Sequence, residues 1–181
     1  FEKNRAVIGA EAFQNISECF EAVGMKLEAV ICANEVVNRY SDPKKVSIPP
    51  DKLEMVSKLV LKAGKSAYGI ARSMFFDDYK RGVTSKETGD LYINALTNLE
   101  KVDPNLKDRV IYELGQVKQM FGEYEDAINS YKSVSESDSK YADAQYNICF
   151  CYVRLSQVAE EKGDEEAKGK YANIISQFSW D

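Results

Sequence analysis

Residues 111–134 read IYELGQVKQMFGEYEDAINSYKSV, an apolar helical pattern that breaks once, at Gly122, and then resumes. Leu114 and Gly115 fall on the first segment, Gly122 and Tyr124 at the break, and Ala127, Tyr131 and Val134 on the second, three and four residues apart. A period near 3.6 puts such residues on one face of a helix. Glycine is the residue that ends a helix in the left-handed conformation without steric cost. The stretch therefore predicts two helices folded into a hairpin.

The same pattern occurs earlier in the chain. Phe13, Ile16, Ser17, Phe20, Gly24, Ala29, Ala33 and Val36 fall on Ile111, Leu114, Gly115, Lys118, Gly122, Ala127, Tyr131 and Val134 at an offset of 98 residues. Six of these eight pairs agree in size or character; Ala33 against Tyr131 and Phe20 against Lys118 do not. Self-similarity of a two-helix unit of about 34 residues is the signature of a repeat array. The Leu-Gly pair, the turn glycine and the following alanine and aromatic resemble the tetratricopeptide repeat family. In that pattern small residues such as Gly115 and Ala127 let two helices approach closely while large ones fill the grooves beside them.

The remaining segments extend the pattern. A stripe of Val7, Ile8, Ala12, Phe13, Ile16, Cys19, Phe20 and Val23 predicts a first helix over 2–23 with that stripe inward, closed by Gly24. A second helix is expected over 26–40, ended by Ser41, Asp42 and Pro43. Asp51 and Glu54 form an expected capping box for a long third helix reaching Lys80, with Gly64 or Gly69 as a kink point. Thr84 and Glu87 suggest another box before a helix over 86–102 that carries Tyr92, Leu96 and Leu99. Pro104 suits the first position of the next helix. Tyr141, Ala144, Ile148, Cys149 and Tyr152, then Gly163, Ala167, Tyr171 and Ile174, give a fourth unit. The apolar run from Ile174 to Trp180 either packs as a capping helix or continues into further repeats.

The resemblance implies an all-α, right-handed α-solenoid of about three to four antiparallel helix hairpins with an irregular second unit. We expect a single repeat domain over 1–181, with units near 10–43, 51–106, 108–141 and 142–175. The chain starts at Phe1 rather than a methionine and inside a predicted helix, which leaves open that a targeting segment or further repeats precede it.

Composition narrows the chemistry. The chain has 181 residues, a net charge of −5, four cysteines and no histidine. Catalysis through imidazole is excluded outright. The acidic balance argues against nucleic acid or an anionic membrane as the main partner. No run reaches the roughly 18 apolar residues that a membrane span needs, so no direct membrane insertion is expected. Cys19, Cys32, Cys149 and Cys151 lack metal-ligand spacing and read as small residues packed between helices, with a lean toward a reducing compartment. Gly64-Lys65-Ser66 lacks the earlier glycine of a phosphate-binding loop. The acidic residues of 160–166 read as a solvated helix end. No cofactor and no metal site is expected.

What remains is binding. In resembling proteins the first helix of each hairpin lines a concave groove. The equivalent positions are Arg109, Tyr112, Gln116 and Gln119 in the third unit and Tyr146, Asn147, Phe150 and Arg154 in the fourth, after Gln14, Glu18 and Glu21 in the first. Some relatives clamp a partner's C-terminal carboxylate with lysine and asparagine, but Tyr112 and Gln116 stand where those residues would be, which argues against that role. The expected function is a non-catalytic scaffold or adaptor that holds a peptide or partner helix, with self-association through the array's ends left open. A ligand- or peptide-sensing regulatory domain is the alternative, to be recognised by a pocket beside Met74, Phe75 and Tyr79.

Overall fold

The computed structural model describes residues 4–42 and 44–178. They form eight α-helices and two short 3-10 turns, with no strand among the described residues. The helices are α1 (Arg5–Ala22), α2 (Lys26–Tyr40), α3 (Leu53–Lys80), α4 (Lys86–Val102), α5 (Lys107–Met120), α6 (Tyr124–Lys132), α7 (Tyr141–Lys162) and α8 (Glu165–Ile175). Among the described residues no helix is long and apolar enough to cross a membrane. The chain divides into two compact units, Phe1–Lys107 and Asp108–Asp181, at the junction between the second and third expected hairpins.

In the first unit α1 packs on α2, α2 on α3, and α3 on α4, while α4 also reaches α2. The core is built from small and branched residues of α2 and α3 (Val30, Ala33, Val37, Ala63, Ala67) and from Leu96 and Leu99 of α4. Phe75 stacks its ring 5.7 Å from that of Tyr92 and 5.4 Å from that of Phe76. Gly64 allows α4 to come close: a Cβ there would stand 2.8 Å from Val102 Cγ2. It serves helix approach rather than a break, since α3 is assigned as helix without interruption.

Three local expectations are corrected. The expected inward stripe of α1 faces out in part: Ile8 is 52% exposed, Ile16 45% and Val23 71%, whereas Ala6, Val7, Ala10, Gln14 and Ser17 are buried. The adjoining face wins because its small residues let α2 approach, and Ser17 Oγ donates 2.8 Å to the carbonyl of Ala29. Cys19 on the same flank is exposed rather than packed, and Cys32 is half-buried. The caps also shift. Ser85, not Thr84, caps α4 by accepting from the Thr88 amide, and α3 opens from a Pro50–Lys52 turn without a side-chain cap.

In the second unit Tyr112, Ala127, Ile128, Tyr131, Val134, Ala144, Ile148 and Cys151 form one core. Gly122, at φ 76, turns α5 into α6. Gly115 faces the Tyr131 ring so closely that a Cβ would stand 2.6 Å from Tyr131 Cε1. Phe178, just past α8, lies 6.5 Å from the Tyr152 ring and closes the core at that end. Pro43 and Trp180, to which the sequence assigns a helix stop and a terminal cap, lie outside the described residues.

Candidate functional site

The candidate positions of the third and fourth hairpins fall in the second unit, on α5 and α7, whereas of those in the first hairpin Gln14 is buried and donates to Glu18, which also pairs with Lys62. Arg109, Tyr112 and Gln116 share one face of α5 by their spacing of three and four. Tyr146, Phe150 and Arg154 follow each other by four along α7, with Asn147 beside them.

Tyr112 is the joint between the two helices. Its ring is only 8% exposed and lies 5.6 Å from the Tyr131 ring, so it belongs mainly to the core. Its hydroxyl accepts from Asn147 Nδ2 at 3.2 Å, and Gln116 Nε2 stands 3.5 Å away. The structure thus brings Tyr112, Gln116 and Asn147 together and sets α5 and α7 side by side. Tyr131 holds the far side of this joint by donating 2.8 Å to Gln119 Oε1, and burial raises its phenol well above the usual tyrosine range.

Beside this joint α7 leaves Tyr146 60% exposed and Phe150 41% exposed, one turn apart. Two large rings in water, next to a fixed polar joint, form a surface that gains from being covered. The two arginines take separate places. Arg109 donates to Glu113 Oε1 at 3.1 Å along α5. Arg154 donates to the Tyr124 hydroxyl at 3.2 Å and to Gln157 Oε1 at 2.7 Å, which draws it toward the start of α6.

Sequence reasoning missed two members of this surface. Lys140 places its ammonium 5.5 Å from the Tyr112 ring centre, and the Asp143 carboxylate that it bonds raises its pKa. Tyr124, read from the sequence only as a turn residue, receives Arg154. An exposed lysine and a tyrosine 28 and 30 residues from their partners carry no periodic signal, so only folding reveals them.

On the α6–α8 side lies a cleft of about 470 Å³ walled by Tyr124 and Tyr171 and rimmed by Glu123, Glu125, Asp126 and Asp164. Its acids have local work. Glu125 and Asp126 sit in the first turn of α6, where the helix dipole favours them, and Asp164 accepts from the Ala167 amide. Among the described residues no three cysteine or carboxylate side chains converge as a metal ligand set.

No protein-family model matches the chain. Over 98 residues it is 26% identical to the Photosystem I assembly protein Ycf3 of Synechococcus sp. (strain CC9605). That match covers 51% of this chain and 56% of the relative, so the chain spans little more than half of the length of that protein. The all-helical chain is thus similar, over about half its length, to a protein named for assembly.

Proposed function

We propose that the chain is a tetratricopeptide-type α-solenoid module that binds a protein partner without catalysis, as a scaffold or adaptor in assembling a protein complex. The observation that carries this reading is the exposed Tyr146–Phe150 pair on α7 beside the Tyr112–Asn147 hydrogen bond. A partner peptide or helix lies across α5 and α7 with these two rings as its anchors, and Arg109, Gln116 and Arg154 bound the surface. Aromatic anchors suit this role because they bury large area for few rotatable bonds. The likeness to an assembly protein supports it from outside the geometry.

The sensing alternative has no comparable support. Phe75 is 2% exposed and packed among the rings of Phe76 and Tyr92.

The test is a double substitution, Tyr146→Ser with Phe150→Ala, compared with wild type in capture from the source organism's extract after both are checked for helicity. Both side chains are exposed, so stability should move by no more than about 0.5 kcal/mol. Loss of a captured partner from the folded variant is the expected result. Equal capture by both proteins would remove α7 from the interface.

A further inference from the structure

The end of the first hairpin and the loop that follows it enclose a cleft of about 520 Å³, lined by Arg5, Asn38, Arg39, Tyr40, Lys45 and Ser47 together with apolar floor residues. Three cations line it, and among the described residues no carboxylate does. Several other cations of this unit are matched: Lys62 with Glu18, Lys65 with Asp103, Lys26 with Asp77 and Arg81 with Asp78. In the cleft Arg39 gives only its Nε to Glu35, with its guanidinium 5.0 Å from the Phe13 ring centre, which holds the fork in place. Arg5 and Lys45 have no ion pair among the described residues. Glu35 offsets part of the Arg39 charge, so Arg5 and Lys45 are the two charges left uncompensated beside it, and an anion placed among them removes the cost of their repulsion.

We propose that this cleft recognises an acidic, carboxylate-bearing segment of a protein partner. Arg5, Arg39 and Lys45 supply the charge, with the Arg39 fork as the fixed element. The Asn38 amide and the Tyr40 and Ser47 hydroxyls supply neutral donors. The surroundings favour a peptide over a membrane or nucleic acid. Residues 1–107 carry 16 lysines and arginines against 15 aspartates and glutamates, so a broad anionic surface meets no net positive face, whereas a narrow segment entering the cleft meets three cations. The cleft lies in the first unit and does not involve Tyr146 or Phe150, so it can fail while the α7 surface stands.

The test uses the full chain and a fluorescein-labelled peptide of alternating glutamate and serine, with its glutamine counterpart as control, read by anisotropy. Wild type should bind the glutamate peptide saturably, release it as salt rises, and ignore the glutamine peptide. Arg5→Gln with Lys45→Gln, both exposed, should weaken binding about fivefold or more, while Arg5→Lys with Lys45→Arg should retain it. Equal affinity for the two peptides, or indifference to the glutamine substitutions, overturns the proposal. So does sedimentation with phosphatidylserine vesicles without peptide binding. A dimer in sedimentation velocity that the glutamine variant dissolves would also overturn it, by assigning the cleft to the acidic 160–166 segment of a second copy.

Discussion

A Cβ on Gly115 would stand 2.6 Å from Cε1 and 2.7 Å from Cδ1 of Tyr131, a ring that is fully buried and held by its hydroxyl on Gln119. The ring cannot yield without breaking that bond. Gly115→Ala therefore combines an overpacking cost of about 1–3 kcal/mol with a helix-propensity gain of about 1 kcal/mol, for a net loss of about 0–2 kcal/mol. Gly69, in mid-helix with nothing within 4 Å of its ideal Cβ, provides the contrast. Gly69→Ala should gain about 0.5–1 kcal/mol. Urea denaturation of both variants decides the matter, and a Gly115→Ala protein stabilised as much as Gly69→Ala would refute the close-packing argument. Ser17 stands where Gly115 does in the earlier hairpin, and there a buried hydroxyl is accepted because the Ala29 carbonyl receives it.

Between elements, α2 and α4 are joined by a buried polar contact: Asn98 Nδ2 donates 2.9 Å to Asn34 Oδ1, while Asn94 Oδ1 and Lys101 Nζ satisfy the rest of the Asn98 amide from its own helix. Such a pair contributes little net stability when made, but leaves an unsatisfied oxygen or amide when one partner is removed. Asn98→Ala should cost about 1–3 kcal/mol, and Asn34→Ala with Asn98→Ala should cost less than the sum of the single changes by about 0.5–3 kcal/mol. Thermal or chemical denaturation of the four proteins in the cycle measures that coupling. Strict additivity would mean that the bond does not join the helices. The same scale explains α1. Its period set which residues share a face, but the choice between two neighbouring faces fell to the one whose alanines and serine admit α2, leaving Ile8 and Ile16 outside.

Across the molecule the negative charge is uneven: residues 108–181 carry 8 lysines and arginines against 14 aspartates and glutamates, while residues 1–107 are nearly balanced. The buried groups of that acidic half make it sensitive to base. Burial pushes the Cys151 thiol from 9.0 up to about 12 and raises the Tyr131 phenol above its ordinary 10.0. Below about pH 8 both groups are protonated folded or unfolded, so neither makes stability depend on pH. As pH rises from 9 toward 12 the unfolded thiol loses its proton while the folded one keeps it, and stability falls. The melting temperature, followed by far-ultraviolet circular dichroism, should be level from about pH 7 to pH 8 and drop above it, less steeply in Cys151→Ala. A level curve to pH 11 in wild type would show that these groups are not desolvated. Much of the fold was legible in the chain itself. Helical period, the turn glycines and the 98-residue echo determined which segments are helices, where they turn and that they pair as hairpins, because these are properties of residues close in sequence. The α5 and α7 candidates were legible as positions, but their roles were not. Tyr112 proved to be core, Arg154 turned to Tyr124, and Tyr146 and Phe150 stayed in water. Tertiary packing alone decided these points, together with the Asn34–Asn98 bond and the meeting of Arg5, Arg39 and Lys45. The reason is physical: a helical period states which side chains share a face, whereas burial depends on the size and reach of groups brought near from far along the chain.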